Sequence, residues 1–154
     1  MIAWLLCACL GHRSLQRIEK YHALGNTDGI AQIIQTSPHA YIRFEAIQRF
    51  QETPPQYWSN QSIEILGSCV QSSSEYCYIS SQCARALGFA QNTQYVESIT
   101  QKMDYCDSES RYHFLLALAR LQDSSVLARA KIIELEQDID LLVRQKAIDL
   151  RAEQ

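Results

Sequence analysis

Tyr41-Ile42-Arg43-Phe44-Glu45-Ala46-Ile47-Gln48-Arg49-Phe50 is the stretch that decides the fold. Its apolar residues fall at helical spacing, with the aliphatic Ile42 four positions before the small Ala46. Two later stretches place an aliphatic residue the same distance ahead of a small one. They are Tyr78-Ile79-Ser80-Ser81-Gln82-Cys83-Ala84-Arg85-Ala86-Leu87 and Leu142-Val143-Arg144-Gln145-Lys146-Ala147. Tyr112 to Leu121 fits more loosely, with Ala117 as the small residue and Leu121 four beyond it. The small positions Ala46, Cys83, Ala117 and Ala147 are 37, 34 and 30 residues apart. A small side chain recurring at one helical position lets neighbouring helices approach closely. A period in the thirties with two helices per unit is the mark of an α-solenoid.

Working outward, turn signals separate further amphipathic segments. Gly25-Asn26-Thr27-Asp28 stops a helix over 14–24 and opens one over 28–35. Thr36-Ser37-Pro38 opens the helix carrying Ala46, and Thr53-Pro54-Pro55 starts another through Trp58, Ile63, Leu66 and Val70. The Ser72-Ser73-Ser74 break precedes a helix over 75–90, and Asn92-Thr93 caps one over 94–104. Asp107-Ser108, Asp123-Ser124 and Asp138 or Asp140 open the last three, over 108–121, 125–136 and 140–152. No comparable segment alternates with period two, so the sequence predicts an all-α chain.

Composition agrees. Hydrophobic residues make up 47% of the 154 residues and charged residues 20%, the balance of an ordered globular chain. Five Gly and three Pro are too few for the turns of a sandwich or barrel. The net charge of −3 argues against a general nucleic-acid binder, which carries a basic surplus to meet phosphates. No apolar run reaches the ~20 residues that a spanning helix requires.

The repeated segments resemble the HEAT and HEAT-like (phycobilisome-lyase type) repeat family, whose first-helix pattern is an acidic or Pro start, Val-Arg, a small residue and Leu-Gly. Ser37-Pro38 with Ile42-Arg43 and Ala46 matches this pattern. So does Asp140 with Val143-Arg144 and Ala147, while Cys83 with Leu87-Gly88 and Leu24-Gly25 match its later part. Ser80 and Phe114 replace the Arg, and Lys20 replaces the first small residue. The resemblance implies a short right-handed α-solenoid of antiparallel helix pairs, about three and a half repeats over residues 14–154. It also implies that Arg43 and Arg144 are structural, because a mid-helix Arg of this family pairs with an acidic residue of the adjacent repeat.

Enzymes of this family leave recognisable traces. The di-iron hydroxylases use His-Glu pairs as ligands, but here the four histidines precede Arg13, Ala23, Ala40 and Phe114. The glycosylases need a basic groove, whereas Arg43, Arg49, Arg85, Arg120, Arg129 and Arg144 do not cluster in sequence. Bilin lyases are the nearest enzymatic analogy, and nothing here marks a chromophore pocket. No G-x-S-x-G or glycine-rich phosphate loop is present. The expectation is therefore a non-catalytic protein–protein interaction or scaffold module, with another protein as partner, no cofactor, no metal and no nucleic acid. The alternatives are a HEAT-like enzyme or enzyme subunit, or a structural lipoprotein of the bacterial envelope. Aromatic residues near helix ends suggest a binding surface that includes Tyr57, Trp58, Tyr95 and Tyr105.

The first thirteen residues stand apart: MIAWLLCACL has no polar side chain and Gly11-His12-Arg13 breaks the run. Leu6-Cys7-Ala8-Cys9 resembles the lipobox of bacterial lipoproteins, which implies lipidation of Cys9, export and a lipid anchor; the other reading is a first helical turn buried against the domain of a cytoplasmic chain. The other cysteines, Cys69, Cys77, Cys83 and Cys106, form no C-x-x-C pair and fit no zinc spacing. They read either as small buried hydrophobes or, in an exported chain, as disulfide partners. Residues equidistant from a turn face one another in an antiparallel helix pair. The turn at Gln91-Asn92 therefore sets Cys77 opposite position 105 or 106, which predicts a Cys77–Cys106 disulfide if the compartment is oxidising.

Overall fold

Helix ends in this chain are built by side chains that accept the free amides of the first turn. A computed structural model describes residues 2–153, with side chains from His12 onward. Nine α-helices follow in order: α1 Ile2–Ala23, α2 Thr27–Thr36, α3 Ala40–Glu52, α4 Asn60–Gln71, α5 Cys77–Phe89, α6 Val96–Met103, α7 Ser108–Leu121, α8 Val126–Glu134 and α9 Leu141–Ala152. Asn26, Asp107, Ser125 and Asp140 accept backbone N–H bonds at the starts of α2, α7, α8 and α9, at 2.9 to 3.2 Å. The described residues contain no strand, and the fold is all-α.

Two boundaries differ from the sequence reading. The helix expected to begin at Ser14 belongs to a longer one, because α1 crosses Gly11-His12-Arg13. A single glycine costs a helix only about 1 kcal/mol, which a long helix absorbs. The helix expected from Pro54 is instead a 3-10 turn over Pro55–Tyr57, an extended Trp58, and then α4. Ser59 Oγ accepts the Ser62 amide at 3.0 Å and restarts the helix there. The break lets the Trp58 indole turn inward.

The helices form two compact units, Met1–Leu66 and Gly67–Gln154. In the first, α2 packs on α3 and both pack on α1, burying Ile18, Ile30, Ile34, Ile42, Ile47 and Phe50. In the second, α5 lies along α7, α7 contacts α9, and α6 packs on α7 and α8. Leu87, Ile99, Met103, Phe114, Leu115 and Leu118 form its core. Ala46, Cys83, Ala117 and Ala147 are each 0% exposed, so every recurring small residue lies inside. At Gly88 the helices touch: a Cβ there would stand 3.0 Å from the Ala117 carbonyl oxygen.

Polar links recur across 27 to 34 residues. Within the first unit, Asp28 accepts from Ser59 and from Ser62, the latter at 2.7 Å and 34 residues away. Arg49 reaches Glu19 at 2.9 Å across 30 residues. Within the second, Arg111 makes a two-pronged bond to Asp138 (2.9 and 2.8 Å) across 27 residues. Lys131 meets Asp104 at 2.6 Å, also across 27, and Lys102 meets the Ser72 carbonyl at 2.7 Å across 30. Within each unit, these bonds tie helices that are distant in sequence. Arg43 and Arg144 donate to the carbonyls of Ser37 (2.6 Å) and Asp138 (3.1 Å) in the loops before their own helices. The outer side of α9 also carries Leu141 and Leu142, 63% and 73% exposed, besides its polar residues.

Candidate functional site

Two disulfides dominate the second unit. Cys77, the first residue of α5, is bonded to Cys106 after α6, with Cα atoms 5.6 Å apart and 29 residues between them in sequence. Cys69 on α4 is bonded to Cys83 on α5, with Cα atoms 6.3 Å apart and a separation of 14. The four cysteines described with their side chains are all paired. In the chain-entropy account, loops of these lengths stabilise by about 4 and about 3 kcal/mol respectively. Cys9 falls outside the residues whose side chains are described.

The Cys69–Cys83 link was not read from the sequence. Reflecting Cys69 about the Ser72–Ser74 turn points to Cys77. The true α4–α5 connection is longer, and it sets Cys69 level with Ile79 and Ser80, whose hydroxyl donates to the Cys69 carbonyl at 3.2 Å. Helical Cβ atoms tilt toward the helix N-terminus. These tilts carry the Cys69 thiol away from the turn and the Cys83 thiol back toward it, so the two meet.

A groove of about 730 Å³ opens beside the Cys77–Cys106 bond, between the end of α4, the start of α5 and α6. Cys77, Lys102 and Tyr105 line it together with Gln71, Ser98 and Gln101. Lys102 holds its wall in place: Nζ donates to the carbonyls of Ser72 and Glu75 at 2.7 and 3.1 Å, closing the C-terminal end of α4. Gln71 donates to Ser98 at 3.3 Å across the groove. Tyr105, at 88% exposure, stands at its edge beside Cys106, so the disulfide fixes the backbone that presents the ring.

The four aromatic residues expected on a binding surface divide evenly. Tyr57 and Tyr105 are exposed, whereas Trp58 and Tyr95 are core residues at 8% and 6% exposure. Trp58 lies 4.4 Å from the Phe50 ring centroid and donates Nε1 to the Thr53 carbonyl at 2.8 Å, which satisfies its only polar atom. The Tyr95 ring occupies the place of a side chain at Gly67, where a Cβ would come within 2.1 Å of it. The sequence signal for aromatic anchors did not register these two glycine- and loop-made recesses.

Another cluster escaped the sequence reading. Arg85 on α5 and His113 and Arg120 on α7 come together, although nothing in their spacing announces it. Burial and Arg85 hold the His113 imidazole below its ordinary range, against an opposing pull from Glu109. Burial and Arg85 likewise lower Arg120.

Among the described residues, no three His, Cys, Asp or Glu side chains stand together as a metal site, and no helix is long and apolar enough to cross a membrane. Fold and groove define an all-helical protein whose second unit holds two disulfides, one of them beside a tyrosine-edged groove. Comparison with protein-family models, curated proteins and solved structures finds no match to this chain.

Proposed function

We propose that this chain is a non-catalytic protein-binding module: a short right-handed α-solenoid of HEAT-like helix pairs, working in an oxidising compartment. Its partner engages the groove edged by Tyr105. The observation that carries the reading is Tyr105 itself, an almost fully exposed aromatic ring held beside a disulfide at the mouth of a groove. A rigid, exposed Tyr contributes large contact area for little entropy loss, which is the property of an interface anchor. The solenoid reading is supported by the buried small residues at each repeat and by polar links recurring 27 to 34 residues apart.

Export is supported by the paired cysteines, since disulfides persist where the surroundings are oxidising. Lipidation at Cys9, following the Leu6–Cys9 pattern, supplies the membrane anchor in this reading.

Site-specific photo-crosslinking in the native host tests the binding surface. Benzoylphenylalanine at position 105 is expected to trap one discrete protein, and the same group at the exposed Asp123 is not. Equal products from both positions, or none from 105, would remove the groove as the interface.

A further inference from the structure

The α5–α7 face carries cations that the fold does not neutralise. On α5, Tyr78, Gln82, Arg85 and Phe89 follow one another at helical spacing, and on α7 so do Glu109, His113, Leu116 and Arg120. Close approach at Gly88 and Ala117 sets these two rows side by side. Tyr78 then meets His113 edge-on at 5.7 Å, and the Arg120 guanidinium stacks 4.1 Å from the centre of the Phe89 ring.

Neither Arg85 nor Arg120 has a carboxylate within ion-pair distance among the described residues, in a chain of net charge −3. Each guanidinium offers five N–H donors. Arg85 makes one long bond, to Gln82 Oε1 at 3.3 Å, and Arg120 one to the Leu116 carbonyl at 2.9 Å. Arg85 Nε and His113 Nδ1 are buried with no hydrogen-bond partner in the fold. Arg120 sits in the last turn of α7, where the carbonyl end carries about half a negative charge, and Arg85 lies a turn before the end of α5. That offsets part of the positive field and leaves the donors unused.

We propose that the α5–α7 face docks an acidic segment of a partner protein, its carboxylates received by Arg85 and Arg120 beside the Phe89 ring. The planar guanidinium fork matches a carboxylate, two oxygens to two N–H groups. The carbonyl end of α7 disfavours a compact dianion more than singly charged carboxylates spread along a chain, which selects a peptide over a phosphate. Phe89, 37% exposed, offers apolar contact to the methylene groups of such a segment. This surface shares no residue with the Tyr105 groove and goes beyond that reading.

The test is an NMR titration of the oxidised, full-length, ¹⁵N-labelled chain with capped octaglutamate at low ionic strength. The Nε–H resonances of Arg85 and Arg120 are expected to shift saturably. The double variant R85Q/R120Q is expected to weaken binding about tenfold or more. R129Q/K146Q, which removes two cations elsewhere, is expected to change it little. R85K/R120K keeps the charges without the forks and is expected to fall between. It carries the test if R85Q/R120Q does not fold, as judged by urea unfolding. Equal loss in R129Q/K146Q, no saturable shift, or inorganic phosphate binding as tightly as octaglutamate would overturn the proposal. Y105A is expected to leave octaglutamate binding intact, so failure at the groove and failure here are read separately.

Discussion

Arg43 and Arg144 make the same bond near opposite ends of the chain. Each stands three residues before a fully buried alanine. Each donates Nη1 to the carbonyl oxygen six residues back, Ser37 at 2.6 Å and Asp138 at 3.1 Å. The bond ties the loop ahead of a helix to that helix's second turn. Replacing Arg144 with Ala is expected to lower unfolding free energy by about 1 kcal/mol in a urea titration, the worth of one charged-to-neutral hydrogen bond at a half-buried site. Arg144→Lys keeps the charge but not the fork, and is expected to recover less than half of it. A full recovery would show that charge alone matters.

The close contact of α5 and α7 sets a second expectation. Ala117 is fully buried, and its backbone lies under Gly88. Ala117→Leu should overpack this seam and cost about 1–3 kcal/mol. Gly88→Ala places a methyl group against the Ala117 carbonyl and should also destabilise, although alanine is the better helix former by about 1 kcal/mol. A stabilised Gly88→Ala variant would show that the seam has room.

Gln91 adopts φ = 53°, the left-handed conformation that L side chains rarely take. It closes α5 in the manner that Gly25 (φ = 62°) closes α1: Asn92 N donates to the Leu87 carbonyl at 3.1 Å, and Asn26 N to the Tyr21 carbonyl at 2.8 Å. Gln91→Gly is expected to raise stability by about 1 kcal/mol, read as a higher urea midpoint at unchanged slope. A lower midpoint would mean that the Gln91 side chain contributes more than its backbone strain costs.

Much of this was legible in the sequence, and the misses have physical causes. The helix count from Thr27 onward, the Gly25 stop, the caps at Asp107 and Asp140 and the burial of Ala46, Ala117 and Ala147 all follow from local rules of spacing and hydrogen bonding. Trp58 and Tyr95 were misread because composition shows an aromatic ring but not the recess that receives it. Trp58 turns inward only because the chain breaks before Ser59, and Tyr95 only because Gly67, distant in sequence, lacks a side chain. The Arg85, His113 and Arg120 cluster was invisible for a similar reason. Which side chains of α5 and α7 face one another depends on rotation about each helix axis, which no one-dimensional spacing encodes.

Acid should unfold the protein through a few specific carboxylates. The hydroxyls of Ser59 and Ser62 hold Asp28 below the usual range, and the Ser110 amide does the same for Asp107. Burial pulls Asp138 upward, but the bonds from Arg111 and the Asp140 amide outweigh it and leave it lowered. A depressed folded pKa means stability that is complete above the unfolded value, about 3.9, and lost as pH falls through the folded value. Urea midpoints should therefore show no pH dependence from these groups between pH 5 and 7, where their contribution is complete, and a steep fall below about pH 4. Asp138→Asn should flatten that fall while destabilising the protein at neutral pH, because Arg111 loses its partner. An unaltered acid limb in Asp138→Asn would remove Asp138 from the account.

The reading of this chain as a disulfide-stapled binding module rests on Cys69–Cys83 and Cys77–Cys106. Peptide mapping by mass spectrometry under non-reducing conditions tests it most directly, on protein taken from the native host with free thiols blocked at lysis. The account predicts two cross-linked species, one joining the peptides of Cys69 and Cys83 and the other those of Cys77 and Cys106, with no blocking group on any of the four. Blocked thiols at all four positions would contradict it, and the oxidising compartment would fall with them.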